Sequence, residues 1–226
     1  MTQVWFPGSR TGGVALIRGH ARLEGERRVR DGGLLCEARE AVVIAVGSGA
    51  AMSAIPWPAE ARPWTYREVT AARRIPCSLV VLGGGAVGVE MAQVYSALGS
   101  TVTLLEAAER LPTREEPFPG EQLHEALVER GIDVRLTVEA QAVRCDGAIV
   151  TVDLSDGERV EGNEIVVAVG RRPRTDDLGL ETVGLEPGKP VAVDDTLGVR
   201  TCHGSTPSAM STNSRCSPTS ASTRLA

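Results

Sequence analysis

The chain has 226 residues, enough for one or two domains of roughly 100–200 residues each, with 42% hydrophobic side chains, 23% charged side chains and 25 glycines. A formal net charge of −5 leaves no broad basic surface to attract nucleic acid or an anionic membrane, so any phosphate must be held locally. The longest apolar stretch, Leu79–Val89, is broken by four glycines and is too short for a membrane helix, which needs ~18 apolar residues.

Residues 1–13 lack a basic start followed by an apolar run, and the five cysteines show neither metal-ligand nor C-x-x-C spacing. A cytosolic protein with free thiols is expected. Along the chain, β-branched apolar runs predict strands near Val14–Ile17 and Ala41–Val46, the second closed by Gly47-Ser48-Gly49. Pro56, Pro58 and Pro63 mark a connection. Thr65-Tyr66-Arg67-Glu68 has capping-box form and predicts a short helix running to about Arg74, before Ile75-Pro76.

From Ser78 the pattern is that of a βαβ unit: strand Leu79–Leu82, a glycine-rich turn, a helix from Ala86 to Leu98 closed by Gly99, and strand Thr101–Leu105. A helix over Glu121–Arg130, stopped by Gly131, precedes strands at Asp133–Leu136, Ala148–Leu154 and Ile165–Val169, with Asp156-Gly157 as a hairpin turn between two of them. Residues 201–226 are rich in Ser and Thr, lack periodicity and read as an irregular, disordered tail. The fold class is α/β.

The strongest chemical signal is Gly83-Gly84-Gly85-Ala86-Val87-Gly88, a G-x-G-x-x-G run that follows an apolar strand and opens a helix. Gly83 allows the tight turn, Gly85 lets backbone approach a pyrophosphate, and Gly88 lets helix and strand pack closely. Unpaired N–H groups where Ala86 and Val87 start the helix, aided by its dipole, then bind the diphosphate without a basic side chain. Glu106 ends the next strand, 106 − 88 = 18 residues beyond Gly88, and can accept from both adenosine ribose hydroxyls while repelling a 2′-phosphate. NAD(H) is the preferred cofactor, and Arg110 and Arg114 keep NADP(H) open.

Taken together, several segments resemble the pyridine-nucleotide-disulfide oxidoreductase family of flavoproteins, which includes dihydrolipoamide dehydrogenase and mercuric reductase. Ala41-Val-Val-Ile-Ala-Val-Gly-Ser48 resembles the strand and A-T-G-S turn that lies against FAD, with Val46 in place of Thr; the resemblance assigns Gly47 and Ser48 to the flavin. Gly83 to Ala92 resembles the nicotinamide fingerprint and implies that Glu90 lies near the nicotinamide ring. Val167-Ala-Val-Gly-Arg-Arg-Pro173 resembles the G-R-x-P turn that closes the nicotinamide domain, so that Gly170 and Arg171 would flank the cofactor.

The resemblance implies a partial FAD domain over 1–63, an NAD(P) domain over 64–175, a return to the FAD domain over 176–200, and the tail over 201–226. It implies hydride transfer from NAD(P)H to FAD in an intact parent that is a homodimer. The 226 residues show no second G-x-G-x-x-G, no C-x-x-x-x-C pair and no dimerisation domain with its catalytic His-Glu, so the chain reads as a fragment. Val193 to Thr201 resembles the approach to the family's second FAD strand; back-translating His203–Thr212 and reading two bases later allows the missing apolar-Tyr-Ala-apolar-Gly-Asp motif, which marks a candidate frameshift. A non-catalytic NAD(H)-binding module and another kind of Rossmann dehydrogenase are the alternatives. The dehydrogenase fits less well, because its fingerprint would stand near the start of the fold.

Overall fold

The computed structural model describes residues 15–52, 55–58, 61–111, 117–199 and 210–212. In chain order the first elements are β1 (Arg22–Leu23), β2 (Arg28–Asp31), β3 (Leu34–Glu37), β4 (Val42–Ile44), β5 (Ser48–Ala50), α1 (Tyr66–Ala71), β6 (Ser78–Leu82), α2 (Ala86–Ala97) and β7 (Thr101–Glu106). They continue with α3 (Pro117–Glu129), β8 (Asp133–Leu136), β9 (Ala140–Asp146), β10 (Ile149–Leu154), β11 (Arg159–Gly162), β12 (Glu164–Val167), β13 (Arg171–Pro173), a 3₁₀ turn at Leu180–Val183 and β14 (Met210–Thr212). The chain divides into two compact units, one of residues 1–47 and 173–226, the other of residues 48–172. Residues 48–63 fall in the second unit.

The second unit is built on a parallel sheet in the order β12-β6-β7-β8. The strands β6 (SLVVL) and β12 (EIVV) are near-continuous apolar runs because both their faces are covered, whereas the edge strand β8 carries Asp133 and Arg135. On one face Val81, Leu104 and Val166 pack with Val89, Ala92 and Tyr95 of α2 and with Leu127 of α3. On the other, Val80, Leu82, Leu105, Ile165 and Val167 pack with Val143, Val152, Leu154 and Val160 of the antiparallel sheet β11-β10-β9. Each Val or Leu so buried contributes about 1.5–3 kcal/mol, which makes the sheet the rigid base of everything at its edge. The chain leaves β6 towards β7 on one side and returns as β12 on the other, so β6 is the strand at which the order reverses.

Capping sets the helices. Thr65 Oγ accepts from the N–H of Arg67, the Thr65 N–H donates to Glu68 Oε2 at 2.8 Å, and the capping box starts α1 where expected. The helix ends at Ala71 rather than Arg74, because Ala72 already has extended backbone. Gly99 and Gly131, with φ of 95° and 77°, close α2 and follow α3 as left-handed residues. α3 begins at Pro117, four residues ahead of expectation, since proline is tolerated in a first turn that donates no intrahelical bond there.

Other expectations are corrected. Residues 15–17 form no strand, and Leu16 and Ile17 are exposed. Strands β9 and β11 were not anticipated, and Asp156-Gly157 turns from β10 into β11 rather than into β12, which joins the parallel sheet instead. In the first unit β1-β2-β3 form an antiparallel sheet that went unread, and a small core gathers Leu23, Leu180 and Val199 with Val42 and Ile44. The backbone of β14 pairs in parallel with β4, so the segment read as a wholly irregular tail contains a strand; the rest of that segment, including His203–Ala209 of the candidate frameshift, lies outside the described residues.

Candidate functional site

The carboxyl ends of β12, β6 and β7 converge on the glycine run. β6 ends at Leu82, the Gly83 N–H donates to Leu105 O at 2.8 Å, and the Ala168 N–H donates to Leu82 O at 2.7 Å, so the three strand ends are tied across the edge. Gly83 has φ of 104°, and a Cβ there would stand 2.6 Å from Ala168 O. A Cβ on Gly88 would overlap the Gly83 carbonyl, which is the close helix-to-strand approach expected of that position. Gly84, the unassigned middle residue, is also restricted: a Cβ would run into Leu111 Cδ2, and Leu111 is fully buried over the turn.

Gly85 differs in kind. It caps α2 with extended backbone, makes no side-chain cap, and a Cβ there would meet nothing within 4 Å. Ala86 and Val87 are exposed, and the first main-chain bond of the helix runs from the Val89 N–H to Gly85 O. Ala86 and Val87 thus present their N–H groups at the positive end of a 12-residue helix whose cap residue supplies no side-chain acceptor. That arrangement suits an anionic group that approaches through the space a side chain would fill.

Glu106 stands beside this turn. Its Oε2 accepts the Gly84 N–H at 2.6 Å and its Oε1 accepts the Ala108 N–H at 2.9 Å. Each oxygen retains a further lone pair, so both can also accept from hydroxyls. Glu90 is exposed on α2. On the other face of the sheet, a cavity of about 440 Å³ is lined mainly by apolar residues such as Leu82, Leu105, Val138 and Val169, with Glu139 and Gln141 among them; its walls come from five separated segments, which no local pattern reveals.

Across β6 from Glu106, the segment after β12 brings together residues proposed on separate grounds. Gly170 has φ of 138° and open space around its Cβ position, and its carbonyl accepts the Ala51 N–H at 3.0 Å. Arg171 Nε donates to Ser48 Oγ at 2.7 Å and Nη2 to Ser48 O at 2.9 Å. Its guanidinium lies 4.6 Å from the centroid of the Tyr66 ring. Arg67 Nε donates to the Tyr66 hydroxyl at 3.2 Å, and this bond, more than the charge of either arginine, pulls the phenol below its ordinary pKa. Arg171 and Ser48 are thus engaged with each other. In the first unit, Gly47 has φ of 67°, nothing within 4 Å of its Cβ position, and a carbonyl that accepts the Arg174 N–H at 3.2 Å.

Among the described residues no helix is long and apolar enough to cross a membrane. The chain is 35% identical over 196 residues to a dihydrolipoyl dehydrogenase of Thermus scotoductus, covering 78% of this chain and 41% of that protein. It is 31% identical over 190 residues to a mercuric reductase of Bacillus cereus, covering 82% and 30%. Among solved structures it is similar to LpdA of Mycobacterium tuberculosis, with 27% identity, a TM-score of 0.71, and 86% of this chain and 43% of that one covered. In fold it is also similar to the HOCl-induced flavoprotein disulfide reductase RclA of Escherichia coli, at a TM-score of 0.72 and 24% identity over 87% of this chain and 44% of that one. The chain spans less than half the length of these relatives. The family model described as pyridine nucleotide-disulphide oxidoreductase matches residues 8–204, and the chain belongs to that family.

Proposed function

We propose that residues 48–172 bind NAD(H) along the carboxyl edge of the parallel sheet, with the diphosphate on the first turn of α2 and the adenosine ribose on Glu106. The observation that carries this is the uncapped start of α2 at Gly85, open where a side chain would stand and flanked by a carboxylate fixed to the Gly84 N–H. Sheet order sets the direction. With the diphosphate at β6, adenosine extends towards β7 and Glu106, and the nicotinamide half towards β12 and Gly170. Glu90, one exposed turn along α2, faces solvent on the same helix and is the family-derived candidate for the ring's neighbourhood.

The family works with FAD as well as a nicotinamide, and FAD when bound supplies the acceptor for the nicotinamide's hydride. We assign the flavin to the unit formed by residues 1–47 and 173–226 within a longer protein, with Gly47 at its turn, which the open left-handed backbone there supports; Ser48, the other residue the family resemblance gives to the flavin, belongs to the second unit and is held by Arg171. Hydride transfer from NAD(P)H to FAD, onward delivery to an acceptor, a cytosolic location and a homodimeric assembly are proposals for that longer protein. The chain's own residues bind and orient: α2 holds the anion without a titrating side chain, Glu106 selects the sugar by charge, and Gly170 leaves a bare backbone surface.

A second reading, an NAD(H)-binding module without turnover, is favoured for this chain alone by its cysteines, which include no pair at redox spacing. Titrating the purified chain with NADH, followed by nicotinamide fluorescence, tests the binding. Adding FAD anaerobically separates the two readings: a flavin absorbance bleached by NADH supports turnover, and NADH binding with an unbleached flavin supports the module. Failure of the chain to bind either NADH or ADP removes both.

A further inference from the structure

The segment Ala168–Arg171 is held at two ends by different means. At the first, the Ala168 N–H bonds to Leu82 O and its carbonyl packs against the bare Cα of Gly83, so this end is part of the sheet. At the second, Arg171 holds Ser48 with two hydrogen bonds, and its guanidinium lies over the Tyr66 ring. Between them lie Val169, which is exposed, and Gly170, whose φ of 138° is open only to glycine and whose conformation the surrounding structure must impose. Tyr66 is itself fixed. It opens α1 directly after Thr65 of the capping box, Trp64 runs beside β12 through its N–H to Ile165 O and its carbonyl to the Val167 N–H, each at 2.8 Å, and the Tyr66 hydroxyl accepts from Arg67.

From these contacts we infer that Tyr66 is a positioning residue for the nicotinamide half of the dinucleotide: its ring holds the Arg171 guanidinium on Ser48, and so fixes the backbone of Gly170. The inference rests on the dinucleotide reading above and deepens it. Arg171 commits Nε and one Nη2 donor to Ser48 and lies over the Tyr66 ring, so besides its charge it shapes the site through the main chain. Glu106, on the far side of β6, makes its two backbone bonds to Gly84 and Ala108, remote from this clip. The two halves of the ligand therefore depend on different supports, and a probe that carries only one half separates them.

The test compares NADH with ADP, which reaches only α2 and Glu106, by titration calorimetry on the full 226-residue chain and on its Tyr66→Phe, Tyr66→Leu and Arg171→Lys variants. Tyr66→Phe keeps the ring and is expected to bind both as the parent does. Tyr66→Leu and Arg171→Lys are expected to weaken NADH by about three- to fivefold, the worth of one exposed cation–π contact, and to leave ADP unchanged. A Tyr66→Leu chain that binds NADH like the parent, or that loses NADH and ADP in parallel, overturns the positioning role. If the parent binds neither ligand, the dinucleotide reading itself has failed, and this inference goes with it.

Discussion

The carboxylate of Glu106 accepts the main-chain N–H of Gly84 at 2.6 Å, so the acid at the end of one strand fixes the turn at the end of its neighbour. Charge and geometry are coupled at this point. A Glu106→Gln substitution keeps the shape but turns one acceptor oxygen into an amide NH2, a donor facing the backbone N–H of Gly84 or Ala108, a loss of about 1–3 kcal/mol in stability. It also removes the repulsion towards a 2′-phosphate. The ratio of NADPH to NADH dissociation constants is expected to fall about tenfold, equivalent to ~1.4 kcal/mol, when both are titrated at equal ionic strength. An unchanged ratio would show that Glu106 does not read the sugar.

The glycines of the turn differ in what they do, and alanine at two of them separates binding from folding. At Gly88 the added methyl overlaps the Gly83 carbonyl, so Gly88→Ala is expected to cost about 1–3 kcal/mol and lower the melting temperature with or without ligand. At Gly85 the methyl enters open space on backbone that alanine adopts, so the fold should lose about 1 kcal/mol or less while ADP and NADH both weaken at least tenfold. Calorimetric melting and ligand titration on the same samples distinguish the two. A Gly85→Ala chain that binds as tightly as the parent sinks the diphosphate assignment.

Two carboxyl groups give stability opposite slopes with pH. The Thr65 hydroxyl, then its N–H, holds Glu68 below its usual value of 4.5, so the capping box contributes fully above that value and is lost as pH falls through the lowered one. Burial alone raises Glu164 above 4.5, so its ionised form weighs against the fold, and that cost grows as pH rises through the raised value. Melting curves at about pH 4 and about pH 8 check both. Glu164→Gln should stabilise at the higher pH and have little effect at the lower; Thr65→Ala should destabilise at the higher and less at the lower. Equal effects of either substitution at both values would contradict its sign.

How far the sequence could be read follows from how local each feature is. The unit from β6 to β7 was legible because an apolar run, three spaced glycines, helical periodicity and the stop at Gly99 agree within about 30 residues. β9 and β11 were not, since Val143 is the buried side chain of the first and Val160 that of the second, while arginines and acids fill the solvent side. Val14–Ile17 misled in the opposite way: it has strand chemistry, but Leu16 and Ile17 have no core to face. Ser48 and Arg171 were singled out separately, yet they lie 123 residues apart, and their contact, with Tyr66 beside it, comes from tertiary pairing that no local pattern encodes.

The outward side of α2 carries a final prediction. Val87, Val94 and Leu98 are 37%, 44% and 52% exposed, with partly buried Met91 among them, at the i, i+4, i+7, i+11 spacing that makes one continuous stripe on a helix. A helix apolar on its core side as well as its solvent side favours contact between chains in water. The isolated chain is therefore expected to self-associate at micromolar concentration. Leu98→Glu with Val94→Lys, paired at i,i+4 on the exposed face, should shift sedimentation towards the monomer and leave ADP affinity unchanged, because both positions lie at least two turns from Gly85. If the parent chain already sediments as a monomer across that range, the stripe is not an association surface.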